Sequence, residues 1–200
     1  MSKFNFFSVL RKLEWSPLII DAKKSRKVAY VAIMTAIAVI FNIVFEFVKL
    51  ADFQLSLTFA VSILIGLILG AGAGFVSCFL GDLLGFFVNT GGNGYFPWVG
   101  ISVGTVAFIS GVVFHCFKSK STFSLYLKIT VVSVLTFLIC SVGINTTAFW
   151  ISFSSSTYFE YLFSRYILKG QLLVSVINYA LVFVVVPVFK RMSFFKGLNL

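Results

Sequence analysis

Charge is what this sequence has least of. Only 11% of its 200 residues are charged, and just six of those are acidic. A water-soluble domain carries roughly 25%, so there is too little polar surface here to coat a soluble particle, and the apolar surface must face lipid. Histidine occurs once, as His115 at the inner end of a hydrophobic run. No Ser-His-Asp set, HExxH motif or paired carboxylate assembles around it, which argues against the common enzyme classes. The three cysteines, Cys78, Cys116 and Cys140, stand isolated in apolar surroundings with no CxxC spacing, so neither a disulfide framework nor a zinc site is expected. Gly70, Gly72 and Gly74 mimic a dinucleotide fingerprint, but Phe75 takes the third-glycine position and no Lys-Ser/Thr follows to make a phosphate loop. The chain therefore has no ATP machinery of its own and no cofactor motif.

What is present is hydrophobic sequence, 60% of the chain at a mean hydropathy of +1.05, with 26 phenylalanines. A bilayer core of about 30 Å needs about 20 apolar residues of helix. The qualifying runs are Val28–Val48, Leu55–Ala71, Gly74–Val88, Pro97–Phe117, Ile129–Ile151 and Leu172–Phe189. The second and third form one stretch too long for a single crossing, and the cluster Gly70-Ala71-Gly72-Ala73-Gly74 near its middle offers a tight reversal. The expected fold is an all-α integral membrane protein, a single bundle of six transmembrane helices.

The cations set its orientation. Seven of the sixteen Lys and Arg precede residue 28; three more (Lys118, Lys120, Lys128) lie around the loop before the fifth run and three (Lys190, Arg191, Lys196) after the sixth. The opposite side holds only Lys49, Arg165 and Lys169. By the positive-inside rule this bias predicts N-in and C-in. The net charge of +10 thus flanks spans and contacts lipid headgroups rather than marking a nucleic-acid binder. The first apolar run is too long for a signal h-region and reads as a retained helix. The expected organisation is a basic cytoplasmic tail over 1–27, a transmembrane domain over 28–192 and a cytoplasmic tail over 193–200. Phe4, Phe6, Phe7, Leu10, Leu13 and Trp15, interleaved with Arg11 and Lys12, suit a short interfacial helix.

Polar groups inside the spans are few. Asp82, within Gly81-Asp82-Leu83-Leu84-Gly85, sits mid-span, where an ionised carboxylate costs several kcal/mol unless partnered. It is either a functional contact or a hydrogen-bonding tie to a neighbouring helix. The loop Asn89 to Trp98 offers Tyr95, Phe96 and Trp98, either as an interfacial aromatic belt or as walls for a flat ring. Asn145, Arg165, Lys169, Gln171 and Asn178 gather in or between the last two runs. Arg165 and Lys169 share a face if helical, and two cations facing an outer cavity suit a carboxylate-bearing solute; snorkelling to headgroups is the alternative. Ala29, Ala32 and Ala36 make a small-residue stripe on the first span, fit for close approach within the bundle or to another subunit.

Together these features resemble the S components of energy-coupling factor (ECF) transporters, especially the folate-type branch. The likeness is clearest over Gly66–Gly111, with its glycine-broken helices, Asp82-Leu83-Leu84-Gly85 and Tyr95-Phe96-Pro97. Ala32 and Ala36 resemble the family's A-x-x-x-A docking motif, Asn145-Thr146 the opening of a polar patch in helix five, and Arg165 with Lys169 a basic pair at helix six. The chain departs from the family where that pair is spaced by three residues instead of two, and where Val61 and Val106 replace a proline and a small or polar residue. The resemblance implies a capture subunit in a prokaryotic plasma membrane that binds folate or a related water-soluble vitamin from outside. Asn145 would meet a heterocycle and Arg165 or Lys169 a carboxylate, with Gln171 and Asp82 nearby and Tyr95, Phe96 and Trp98 as walls. Ala29, Ala32 and Ala36 would dock on a transmembrane coupling subunit, itself served by two ATP-binding-cassette ATPases.

Three other readings compete. A stand-alone secondary transporter would use Asp82 as a proton-linked carboxylate, but no internal repeat is visible. A scaffold subunit would bind no small molecule. A membrane-embedded enzyme would need a His, Asp or metal cluster at an interface, which the sequence lacks.

Overall fold

A computed structural model of the chain describes residues 14–46, 49–50, 53–54, 56–88, 94–116 and 121–192. Helix α1 is Lys24–Glu46 and leads through a two-residue antiparallel pair, β1 (Lys49–Leu50) with β2 (Phe53–Gln54), in which Lys49 lies opposite Gln54. Helices α2 (Thr58–Leu69), α3 (Ala71–Val88) and α4 (Pro97–Cys116) follow. Helix α5 runs through Thr122–Phe153 and is π-helical over Phe137–Thr146. A short α6, Tyr158–Phe163, passes into a second π-helical stretch, Ser164–Leu168, and α7 is Gln171–Arg191.

Among the described residues five helices are long and apolar enough to cross a membrane: α1, α3, α4, α5 and α7. This is a multi-pass, all-helical membrane protein. The second expected span needs correction. Instead of covering Leu55–Ala71 it is the 12-residue α2, about 18 Å long at 1.5 Å per residue, which is short of a bilayer core. Its apolar character has another cause. Nine of its twelve residues are buried, because α2 packs against α1, α3, α4 and α7 at once. A helix that is hydrophobic all round belongs in the interior. Ile63, Leu67 and Ile68 join Val106, Phe114, Ile129, Val132 and Val182 in the main core cluster.

Two glycines make this packing possible. The reversal between α2 and α3 occurs at the single residue Gly70, with φ 101° and ψ 177°, a conformation open essentially to glycine. A Cβ there would lie 2.5 Å from the Ser16 amide nitrogen. Ser16 N–H donates to the Leu69 carbonyl at 2.8 Å and its hydroxyl to the Ile68 carbonyl at 2.6 Å, so the segment before α1 closes this end of the bundle. Gly66 faces the Ala107 backbone so tightly that any Cβ would overlap the Ala107 carbonyl, which brings α2 and α4 into backbone contact.

Other expectations shift. Helix α1 starts four residues before Val28, and α5 is longer than Ile129–Ile151 at both ends. The proposed interfacial helix falls largely on residues outside the described ones, as do the tail 193–200 and loop residues 89–93. Where the chain is described next to them, residues 17–21 form turns.

Candidate functional site

At the end of the bundle opposite Gly70 lies a cavity of about 250 Å³. It is built where α1 ends, α2 begins, α3 and α5 near their ends, and α4 and α7 begin. This is the end that the positive-inside reading places outside. The volume is just below the range of about 300–1,000 Å³ usual for small-ligand sites.

Five residues singled out in the sequence line it together: Asp82, Asn145, Arg165, Gln171 and Asn178. Asp82 is buried, and its two carboxylate oxygens have separate partners. Oδ1 accepts from Asn42 Nδ2 at 3.4 Å, and Oδ2 from the Tyr95 hydroxyl at 3.3 Å. Among the described residues its partners are thus an amide and a phenol, and it ties α1, α3 and the segment before α4 while presenting to the cavity. Burial, and then the carboxylate beside it, push the Tyr95 phenol up to about 12, so this hydroxyl keeps its proton and remains a donor.

Asn145 is buried, and its side-chain oxygen has no hydrogen-bond partner among the described residues. An acceptor left unpaired in a buried site costs about 1–3 kcal/mol, and a ligand N–H would repay it. Arg165 reaches the cavity with its guanidinium 4.8 Å from the centre of the Phe149 ring, a stacking that holds the cation in place. Phe149 in turn stacks on Phe96 at 5.0 Å.

Asn178 also lines the cavity, but its amide is fully committed. Its Nδ2 donates to the Ser56 carbonyl at 2.6 Å and the Val174 carbonyl at 2.9 Å, while its Oδ1 accepts from the Ala60 amide at 2.9 Å. It staples α7 to the start of α2 and forms the floor.

Four residues expected at the site do not line it. Tyr95 acts behind Asp82, Phe96 behind Phe149, and Trp98 is half exposed at 51%. Lys169 is exposed and is not among the residues that line the cavity. Ser164–Leu168 is π-helical, and the Lys169 amide donates to the Ser164 carbonyl, five residues back, at 2.9 Å.

The cavity also uses Asn42, Ser56, Thr58, Phe59, Phe149 and Ser175, which the sequence reading passed over. Asn42 carried a usable signal: a lone amide within an apolar span is costly for the same reason as Asp82. Phe149 carried none, being one of 26 phenylalanines.

A second feature lies on the lipid-facing side. Ala32 and Ala36 are exposed on α1 and line a shallow apolar groove with Val39, Ile40, Leu80 and Leu84 of α1 and α3 and with Trp15. Ala29 is exposed one turn earlier, beyond the groove's lining. The stripe is not an internal packing face; that role falls to Thr35, whose hydroxyl meets Ser77 Oγ at 3.0 Å. His115 ends α4 with Nε2 2.9 Å from the Leu67 carbonyl oxygen, a structural contact. No group of three His, Cys, Asp or Glu suited to a metal occurs among the described residues.

Comparison with known proteins gives a consistent picture. A family model described as "ECF-type riboflavin transporter, S component" matches residues 22–193. No curated protein matches the sequence. Among solved structures, the crystal structure of FolT bound with folic acid superimposes with a TM-score of 0.59, covering 82% of this chain and 95% of that one at 20% identity. At that identity the likeness speaks to the fold.

Proposed function

This chain belongs to the ECF-type riboflavin transporter S component family, and from that premise we propose that it captures riboflavin in the cavity between α1, α2, α3, α4, α5 and α7. The observation that carries this reading is the unpartnered Asn145 oxygen, held in a cavity whose other polar lining is mostly neutral amide and hydroxyl. A flat heterocycle with an imide N–H would satisfy Asn145 and lie against Phe59 and Phe149. A polyol tail would match Asn42, Ser56, Thr58, Gln171 and Ser175.

Folate, the vitamin implied by the family resemblance, is the second reading. Arg165 favours it, since a guanidinium suits a carboxylate. Against it, the second cation of the expected pair, Lys169, is exposed and off the cavity.

The proposal extends to the membrane arrangement and the partners. The chain lies N-in and C-in in a prokaryotic plasma membrane, with α2 as the sixth, buried element of the bundle and the cavity facing outward. Energy comes from a coupling membrane subunit and two ATP-binding-cassette ATPases. The exposed stripe of Ala29, Ala32 and Ala36 and the groove beside it are the docking face for the coupling subunit. Helix α1 suits that role because it is the least embedded of the five long helices.

The test is direct. Small molecules released from the detergent-purified chain, expressed alone, are identified by mass spectrometry, and the emptied protein is titrated with riboflavin and folic acid. Stoichiometric riboflavin, with weaker or no folate binding, is the expected result. Binding of folate alone would move the specificity to the second reading. Failure to bind either would leave a secondary carrier or a non-transporting scaffold as the better account.

A further inference from the structure

The two π-helical stretches of this chain meet each other. π-Helix is rare and mostly confined to a single widened turn, often at functional sites. Here ten residues of α5 and five residues after α6 adopt it, and Tyr166 joins the two. Its hydroxyl lies 2.8 Å from Ser141 Oγ and 3.4 Å from Thr146 Oγ1, and its ring sits edge-on to Phe137, 5.5 Å between centroids at 70°. One side chain therefore touches the beginning, middle and end of the longer stretch. Thr146 Oγ1 also donates to the Ser141 carbonyl at 2.8 Å, closing the widened turn. Tyr166, Ser141 and Thr146 are all buried, at 6%, 2% and 0% exposure. Parting them would leave hydroxyls with no water to turn to.

The chain neighbours of this contact are the cavity's amide and cation. Asn145 immediately precedes Thr146, and Arg165 immediately precedes Tyr166; both line the cavity, and Tyr166 does not. Loss of one bulged residue turns everything beyond it by about 100° around the helix axis. Relaxation of either stretch towards α-helix would thus re-aim the side chains that face the ligand.

We propose that Tyr166 is a positioning residue for vitamin binding: it clamps the two π-helical stretches together and so fixes how Asn145 and Arg165 face each other across the cavity. This rests on the capture reading above.

The experiment is calorimetric titration of the purified full chain with riboflavin and with folic acid. Tyr166→Phe keeps the ring against Phe137 and removes only the hydroxyl. It should weaken binding by about three- to tenfold, the equivalent of one buried hydrogen bond. Asn145→Ala should weaken it as well, and the double variant should lose less than the product of the two factors, because the hydroxyl acts partly through Asn145. Ser141→Ala removes the same bond from the other side; it should match Tyr166→Phe and add little on top of it, which keeps the test open if Asn145→Ala binds too weakly to measure. Unchanged affinity in Tyr166→Phe, or losses that multiply in both double variants, would overturn the inference while leaving the capture function intact. A wild-type chain that binds neither vitamin would overturn the capture reading, and this inference with it.

Discussion

Asn178 of α7 caps α2 from outside that helix, its side-chain oxygen accepting the Ala60 amide N–H at 2.9 Å. The first amides of any helix lack intrahelical partners, and Leu57 at the N-cap position of α2 offers no side-chain bond of its own. A buried helix start has no water to satisfy it, so the cap comes from the neighbouring helix. The same amide group holds the Ser56 carbonyl at 2.6 Å.

Replacing Asn178 with Leu should therefore strand both the Ala60 N–H and the Ser56 carbonyl. At about 1–3 kcal/mol for each unsatisfied buried group, the thermal midpoint in detergent should fall clearly, and vitamin affinity should fall with it because Ser56 and Thr58 line the cavity. Asn178→Asp keeps the acceptor for Ala60 but cannot donate to Ser56, and its added charge is buried. A stability equal to wild type in both variants would show that the cap carries no weight.

Gly70→Ala should separate stability from binding. Its backbone conformation excludes a side chain, and the new methyl would press on Ser16; a cost of about 1–3 kcal/mol is expected. The cavity lies at the other end of the bundle, so riboflavin affinity per folded molecule should stay within about twofold. Yield, thermal midpoint and titration together check this. A large affinity loss in the folded fraction would mean that the reversal and the cavity are mechanically coupled.

Arg165 and Lys169 should no longer behave as a pair. Arg165→Met should weaken vitamin binding by about tenfold, the order of one charge-assisted hydrogen bond. Lys169→Met should change it little, since that side chain is exposed and off the cavity. Equal losses in titration would show that Lys169 swings in when the ligand is bound.

Bulk on the outer face of α1 should block transport and spare capture. Ala32→Trp or Ala36→Trp would fill the groove bordered by Leu80 and Leu84. With the partner module co-reconstituted in vesicles, uptake should be lost while titration of the isolated chain gives wild-type affinity. Loss of binding in step with uptake would remove the docking role from this face.

Much of the fold was legible because hydropathy is a local property. Apolar runs marked every long helix, and the run of glycines after Leu69 marked the reversal, which the structure narrows to Gly70. Asp82, Asn145, Arg165 and Gln171 were also legible, since an uncompensated polar group among apolar neighbours stands out in one dimension. Two expectations need restating: the span over Leu55–Ala71 is the short buried α2, and of the basic pair only Arg165 lines the cavity. Nothing in a hydropathy profile separates a segment made apolar by lipid from one made apolar by four neighbouring helices.

The sequence by itself determined that the chain lives in a membrane, roughly where its helices lie, and which few polar groups need explaining. Tertiary structure alone decided what each of those groups does. Asn178 and Asn145 are both amides in apolar helices, yet both polar atoms of Asn178 are bonded, to Ser56, Val174 and Ala60, while the Asn145 oxygen has no partner among the described residues. The difference arises from what stands opposite each side chain once α2, α5 and α7 have packed. Partners of that kind are separated by up to 122 residues of chain, a relation that local pattern cannot carry.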